Sequence, residues 1–421
     1  MGAYSNVNLS WNSKNKVLLY IDENKIPVWG CEEDIKSRNI LYKTSYGQVD
    51  KDYNNENMFI KGDNLYSLKS LEKEFCNKIK CIYIDPPFNT GKVFDHYADG
   101  LDKGLWLSMM KPRLEILKNL MTEDGIIFVH IDDDEMPYLK VLMDEIFCND
   151  VSKCGCRNNT NNHVATIIWQ KKFAPQNDAK FFSDVHDFIL VYAKNKKKLK
   201  INRIDRTKLQ DDRYKNLDND PRGVWTSSDL TVKTPNKEWI YPITLPSGRV
   251  VMPSQSRSWG VSKERFKELV EDNRIWFGSN RNSMPRFKRF LSEIRGGIVP
   301  KTIWLRDEVG DNSEGKKEIK KLVNIEEAVF TTPKPERLLQ RIIQIATDEG
   351  DWVLDAFLGS GTTCAVAHKL KRKWIGLENG SQMDTICIPR LESVLSGVDQ
   401  GGVSKAVKWT GGGGFNYFEI D

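Results

Sequence analysis

Apolar and polar positions along this chain fall into two recurring forms. Some apolar runs are short, nearly unbroken and end at an acidic residue, which is the pattern of buried strands; others repeat every three or four residues, the pattern of amphipathic helices. A short run through Met58-Phe59-Ile60 ends in Gly62-Asp63, and Leu65, Leu68 and Leu71 then recur at helical spacing. Cys81-Ile82-Tyr83-Ile84 is a strand that Asp85-Pro86-Pro87 must end, because proline donates nothing to a ladder and restricts the residue before it. Leu107, Met110, Leu114, Leu117 and Met121 share one face of a helix over 105–121, which stops before Glu123-Asp124-Gly125. A strand over 126–131 and a helix over 136–147 follow, and the apolar pieces at 167–169 and 188–192 complete the sheet. Near the other end, Pro335-Glu336 opens a helix carrying Leu338, Leu339, Ile342, Ile343 and Ala346. Trp352-Val353-Leu354-Asp355 leads through a glycine turn into a helix start at Thr362, and Trp374-Ile375-Gly376-Leu377 ends at Glu378. Strand, acid and helix alternate, which predicts an α/β fold around a parallel sheet, with ligands at the carboxyl ends of its strands.

Two regions break the alternation. Residues 1–50 are polar, with apolar pieces at Val17-Leu18-Leu19-Tyr20 and Ile26-Pro27-Val28-Trp29, and read as an N-terminal extension. Residues 194–300 are basic, aromatic and punctuated by Pro221-Arg222-Gly223, Pro246-Ser247-Gly248 and Pro253, which marks a second domain inserted between two halves, 51–193 and 301–421, of the first. The net charge of +5 over 421 residues conceals this division. Residues 194–300 hold 24 Lys and Arg against 12 Asp and Glu, an excess of +12 that leaves −7 for the rest. With Tyr214, Trp225, Trp239, Tyr241, Trp259, Trp276 and Phe277 interleaved, and Arg281, Arg286, Lys288 and Arg289 at the far end, the segment fits a nucleic-acid partner.

The eight cysteines are scattered, several within apolar runs, which is cytosolic usage. No leader-like apolar stretch and no run of membrane-spanning length occurs, so a soluble, cytoplasmic protein with no membrane contact is expected. Cys148, Cys154, Cys156 and His163 hold one Cys-x-Cys without a second pair, and the reading is a polar loop with no metal site.

Asp85 is an acceptor at a strand end, and Phe88 places a flat apolar face beside it. That pairing suits a planar base carrying an exocyclic amine. Gly359 and Gly361 let backbone approach a ligand at a helix N-terminus, and Glu378 follows at the spacing of a ribose acceptor. Together they describe a nucleoside-bearing cofactor beside an amino-bearing base. Plainer roles stand beside these: Asp63 as a helix cap, Glu378 as a surface acid, His130 as a core histidine, and Asp132 to Glu135 as a helix-start charge cluster.

The tetrad Asp85-Pro86-Pro87-Phe88 and the run Asp355-Ala356-Phe357-Leu358-Gly359-Ser360-Gly361 resemble the D-P-P-[YF] and D-x-F-x-G-x-G motifs of DNA amino-methyltransferases that use S-adenosylmethionine. The catalytic motif comes first, the order called the β class. Lys61 to Leu65, Tyr83 to Gly91, His130 to Glu135, Pro333-Lys334-Pro335 and Gly411 to Phe415 are similar to the modification subunits of type III restriction systems and their solitary relatives. The resemblance implies a Rossmann-like, circularly permuted methyltransferase sheet with an inserted target-recognition domain. It implies methylation of adenine N6 in duplex DNA after base flipping, with cytosine N4 and a non-catalytic specificity subunit as alternatives. Asp85, Pro86, Pro87 and Phe88 would then be catalytic. Asp63 would face the cofactor's adenine, Glu378 its ribose, and Phe357, Gly359 and Gly361 its methionine end; Asp355 and Thr362 would also bind the cofactor, and Lys334 and Pro335 would lie in the segment that packs near the methionine. Also implied are a homodimer, a restriction subunit as partner, and no metal in methyl transfer. The short length, the Asn- and Cys-containing insertion near 154–163 and the weakly matching first 50 residues leave partner and recognition sequence open.

Overall fold

The computed structural model describes residues 9–21, 26–47, 56–89, 102–148, 162–175, 179–294, 296–322 and 332–421. Cys154, Cys156, Thr90 and Gly91 lie outside them, as does most of the Asn- and Cys-containing insertion. The chain divides into two compact units, one of residues 1–202 with 300–421 and one of residues 203–299.

The larger unit is built on a ten-stranded sheet: β1 (Ile40–Gly47), β2 (Met58–Lys61), β3 (Ile79–Ile84), β4 (Met121–Ile131), β5 (His163–Gln170), β6 (His186–Ala193), β7 (Ile303–Trp304), β8 (Trp352–Asp355), β9 (Lys373–Glu378) and β10 (Gly414–Ile420). Their spatial order is β7-β5-β6-β4-β3-β8-β9-β2-β10-β1. The six from β4 to β10 in that order run parallel, whereas β6 and β1 run against their neighbours. Helices α1 (Asn64–Phe75), α2 (Lys103–Leu120), α3 (Met136–Ile146), α4 (Asn312–Leu322), α5 (Glu336–Ala346), α6 (Thr362–Lys369) and α7 (Ile388–Leu395) belong to the same unit. Leu65, Leu68 and Leu71 of α1 and Met110, Leu114 and Leu117 of α2 pack into one core with Ile82, Ile84, Ile127 and Val129 of the sheet. Each such buried side chain contributes roughly 1.5–3 kcal/mol.

After β3 the chain crosses by α2 to β4 on one side; after β8 it crosses by α6 to β9 on the other. The carboxyl ends of β3 and β8 therefore flank a topological switch point, where the departing loops part and leave a crevice. Asp85 follows the first strand, and Asp355 closes the second.

Three sequence expectations need correction in this fold. Residues 1–50 are not all an extension, because β1 is the edge strand of the main sheet, paired along its length with β10. Its partner lies some 370 residues away, so no local pattern marks it. Met121 passes straight from α2 into β4, and Glu123-Asp124-Gly125 is strand, not turn. The basic run from Lys194 stays with the larger unit: Lys194 donates to the Met121 carbonyl at 2.8 Å, and the Lys196 backbone to Asn162 at 2.9 Å. Unit 203–299 thus carries 19 Lys and Arg against 12 Asp and Glu, an excess of +7.

The smaller unit has its own core of Leu230, Tyr241, Ile243, Leu245, Trp259, Phe266, Leu269 and Ile275. Three antiparallel strands (Trp225–Asp229, Arg286–Phe290 and Ile275–Trp276) and the helix Lys263–Glu271, capped by Ser262, frame it. Trp225, Tyr241 and Trp259, expected as stacking surface, are buried in the unit itself. Lys288 leaves the basic surface too: it is fully buried, against the Trp225 ring and the carboxylates of Asp218 and Asp220. Stranding those acids by Lys288→Met is expected to destabilise the unit by about 3–5 kcal/mol, read as a lowered denaturant midpoint of its own transition, whereas Arg289→Ala at the exposed neighbouring position leaves that midpoint in place.

Candidate active site

Each residue after β3 is held by a different element. The indole of Trp106, buried in α2, donates to the Pro87 carbonyl at 2.8 Å. Asn89 takes a left-handed backbone (φ 59°), and its amide donates to buried Glu135, the N-cap of α3, at 2.9 Å. Phe88 lies parallel to His130, with ring centroids 5.8 Å apart. Lys334, 7% exposed at the entrance to α5, donates to Asp85 Oδ2 at 2.5 Å and stands 5.4 Å from the Phe88 ring centre. Asp85 Oδ1 is buried and has no hydrogen-bond partner among the described residues. A buried acceptor left open costs stability unless a donor reaches it.

His130 is a core histidine by burial, yet it does more than fill space. Its Nε2 lies 3.1 Å from Asp187 and its Nδ1 3.1 Å from the Tyr83 hydroxyl, and Asp187 receives Lys171 at 2.7 Å. Burial, then the neighbouring Lys334 charge, holds the imidazole below its ordinary pKa, so the ring is neutral at pH 7. Its Nε2–H then donates to Asp187, while Nδ1 accepts from Tyr83. This chain braces the face on which Phe88 rests.

The glycine turn after β8 is equally fixed. Asp355 Oδ1 accepts from the Phe357 backbone at 3.0 Å, and its Oδ2 from the Thr363 hydroxyl at 2.5 Å. Gly359 and Gly361 both have positive φ (58° and 76°), and Gly361 caps α6. A Cβ on Gly361 would sit 3.4 Å from the Cys387 backbone in a conformation that L-residues avoid. Glu378, 2% exposed, accepts from the Gly359 backbone at 2.8 Å and from Asn379 and Gly380 at 2.9 and 3.0 Å. It is a buried brace whose two oxygens already accept backbone donors.

Tyr83, Asp85, Lys334, Asp355, Phe357, Gly359 and Thr362 are brought together on the wall of one cleft. Asp63, Pro86, Pro87, Phe88, Pro335, Gly361 and Glu378 are not on that wall. Asp63 caps α1, its Oδ1 accepting from Leu65 at 2.8 Å, and lies 3.4 Å from buried Arg113. Arg113 also holds Asn64, which donates to the Ala356 carbonyl at 2.8 Å and so ties α1 to the glycine turn. Pro335 is the N-cap of α5 and carries the chain from Lys334 into that helix.

One constellation carries no sequence signal. Lys369 of α6 and Arg390 of α7 converge on Glu336, at 2.8 and 3.0 Å, and Lys369 reaches Asp399 at 2.6 Å; all four side chains are buried. Arg390 also donates to the Thr362 hydroxyl at 2.7 Å and the Ser360 carbonyl at 3.2 Å. Two cations and two anions from separate segments thus lock the glycine turn to α5.

Burial, with the charges of Asp85 and Glu378 adding to it, pushes the Asp355 carboxyl up to about 7 from an ordinary 3.8. Between those values the folded chain binds more protons than the unfolded one, so this contribution to stability is complete below about pH 4 and is lost as pH rises through 7. Asp355→Asn is expected to remove that part of the slope, seen as the difference between wild-type and variant melting temperatures from pH 5 to 8.

Fold and site together define a Rossmann-like methyltransferase architecture with its ligand crevice between β3 and β8. Residues 79–386 match the family model N6_N4_Mtase, described as DNA methylase, and the chain belongs to that family. It is 34% identical over 416 residues to the probable type III restriction-modification enzyme HindVI Mod subunit of Haemophilus influenzae, covering 87% of this chain and 54% of that one. It is 31% identical over 425 residues to the type III restriction-modification enzyme StyLTI Mod subunit of Salmonella typhimurium, covering 87% and 61%. The chain therefore spans between half and two thirds of these relatives' length. Among solved structures, PvuII DNA methyltransferase (cytosine-N4-specific) superposes at TM-score 0.44 and 14% identity, covering 85% of this chain and 94% of that one. No helix among the described residues is long and apolar enough to cross a membrane.

Proposed function

We propose that this chain transfers a methyl group from S-adenosylmethionine to the N6 amine of adenine in duplex DNA. The observation that carries the reading is the buried, unpartnered Asp85 Oδ1 beside the Phe88 face at the switch point of the sheet. The cofactor's methionine end bears one carboxylate and two cationic centres, the ammonium and the sulfonium. The cleft offers the complementary set, Lys334 against Asp85 and Asp355, and a turn of positive-φ glycines that admits close approach. Lys334, Pro335, Phe357, Gly359, Gly361 and Thr362 would hold that end, with Asp63 and Glu378 toward its nucleoside. When bound, the cofactor supplies an electrophilic methyl on a sulfur that leaves with the bonding pair.

The chain's own part is to make a poor nucleophile reactive. An exocyclic amine conjugated with its ring has little lone-pair density to offer. Asp85 Oδ1 and the Pro86 carbonyl accept its two hydrogens, which draws the nitrogen toward tetrahedral geometry. Asp85 Oδ1 also faces the N–H that must be lost as the new N–C bond forms. Phe88, backed by His130, stacks on a base that has left the duplex, because the reacting atom is inaccessible within the helix. The +7 unit of residues 203–299 would read the sequence, with phosphate contacts setting its register. Adenine is favoured over cytosine N4 by Asp before Pro-Pro. From relatives named as Mod subunits we infer a place in a restriction-modification system with a restriction subunit as partner; the homodimer stays what the family resemblance implies.

Expression in a methylation-free host followed by single-molecule sequencing tests the reading. N6 marks on adenine at one recurring motif are expected. N4 marks on cytosine would replace the base assignment, and unmodified DNA from a host making soluble chain would refute the activity.

A further inference from the structure

We infer that Lys334 is a shared cation, tying down Asp85 while the cofactor is away and moving to the cofactor's carboxylate when it binds, so that cofactor binding hands Asp85 over to the target amine. The inference rests on the functional reading above and concerns the order in which its two ligands are accepted.

A buried ammonium needs an anion within reach. Lys334 has one ion-pair partner among the described residues, Asp85 Oδ2 at 2.5 Å, and it is the one cation on the cleft wall. The hydroxyls of Ser360 and Thr362 on the same wall can donate to a carboxylate but carry no charge to balance it, and the Thr363 hydroxyl already donates to Asp355. An arriving amino-acid carboxylate therefore competes with Asp85 for Lys334, whose four-carbon stem can pivot between them. While Lys334 holds Oδ2, Asp85 is a weaker acceptor for an amine, since a neighbouring ammonium draws on the same carboxylate charge. Once Lys334 leaves, both oxygens face the cleft. Cofactor and target base are thus coupled through one side chain, and the coupling is reciprocal.

The test is a double-mutant cycle read as S-adenosylhomocysteine binding by calorimetry, which needs no turnover. Asp85→Asn keeps the shape and removes the competing charge, so it is expected to tighten binding roughly tenfold, the size of coupling seen between residues in contact. The same change in a Lys334→Met background is expected to leave the affinity unchanged or weaker. Asp85→Ser should repeat both results. 5′-Methylthioadenosine, which lacks the amino-acid end, should bind all variants alike. An equal effect of Asp85→Asn in both backgrounds, with wild-type binding intact, would overturn the shared-cation role and leave the functional reading standing. Failure of the wild type to bind either nucleoside would overturn both.

Discussion

Asp85→Ala is expected to lower methyl transfer about 10²- to 10³-fold while leaving DNA affinity within a factor of about two. The magnitude is that of removing one acceptor or donor aimed at a developing charge. The substitution deletes the open Oδ1 and also leaves the buried Lys334 ammonium without its partner. The Phe88 face is unaffected, because it is set by His130, Trp106 and Glu135 acting on residues 87–89. Single-turnover methylation of a target duplex, beside binding to the same duplex by anisotropy, separates the two effects. Loss of binding in step with activity would mean that Asp85 shapes the cleft and does not act on the amine.

Lys369→Met is expected to destabilise the larger unit by about 3–5 kcal/mol. Breaking a buried pair by removing one partner leaves an uncompensated charge, and here Glu336 and Asp399 would both be affected. Arg390 would still neutralise Glu336, but it is already engaged with Thr362 and Ser360. A stability deficit therefore comes with a looser glycine turn. Guanidinium unfolding of the wild type and variant reads the first effect, and the affinity for S-adenosylhomocysteine the second. A cost below about 1 kcal/mol would show that water reaches the cluster.

Much of the larger unit was legible because its signals are local. Strand runs ending in Asp63, Asp85, Asp355 and Glu378, each next to a proline or glycine turn, announced a parallel sheet and the edge that holds the site. The resemblance then supplied roles for those positions. The missing parts depend on long-range contact. The edge strand Ile40–Gly47 is recognisable only once Gly414–Ile420 lies beside it. Lys369, Arg390 and Asp399 look like ordinary surface charges until three segments fold over them. His130 was correctly placed in the core, but its parallel contact with Phe88 needs both backbones. In residues 203–299, composition predicted a basic aromatic surface, whereas the unit first spends Trp225, Tyr241, Trp259 and Lys288 on its own interior. A small domain with few apolar residues must draft aromatics and lysine stems into its core.

The way residues 203–299 join the rest of the chain bears on how such proteins change. Chain entry and exit are stitched by two reciprocal hydrogen bonds, Ile204 N to Ile298 O at 3.0 Å and Ile298 N to Ile204 O at 2.8 Å. Everything beyond that neck has its own core. A recombination event with both crossovers at the neck would therefore deliver a whole folded cassette, leaving Asp85, Lys334 and the glycine turn in their original coding segments. With that unit as the proposed reader of sequence, preference would drift by exchange while the residues of the cleft are inherited intact.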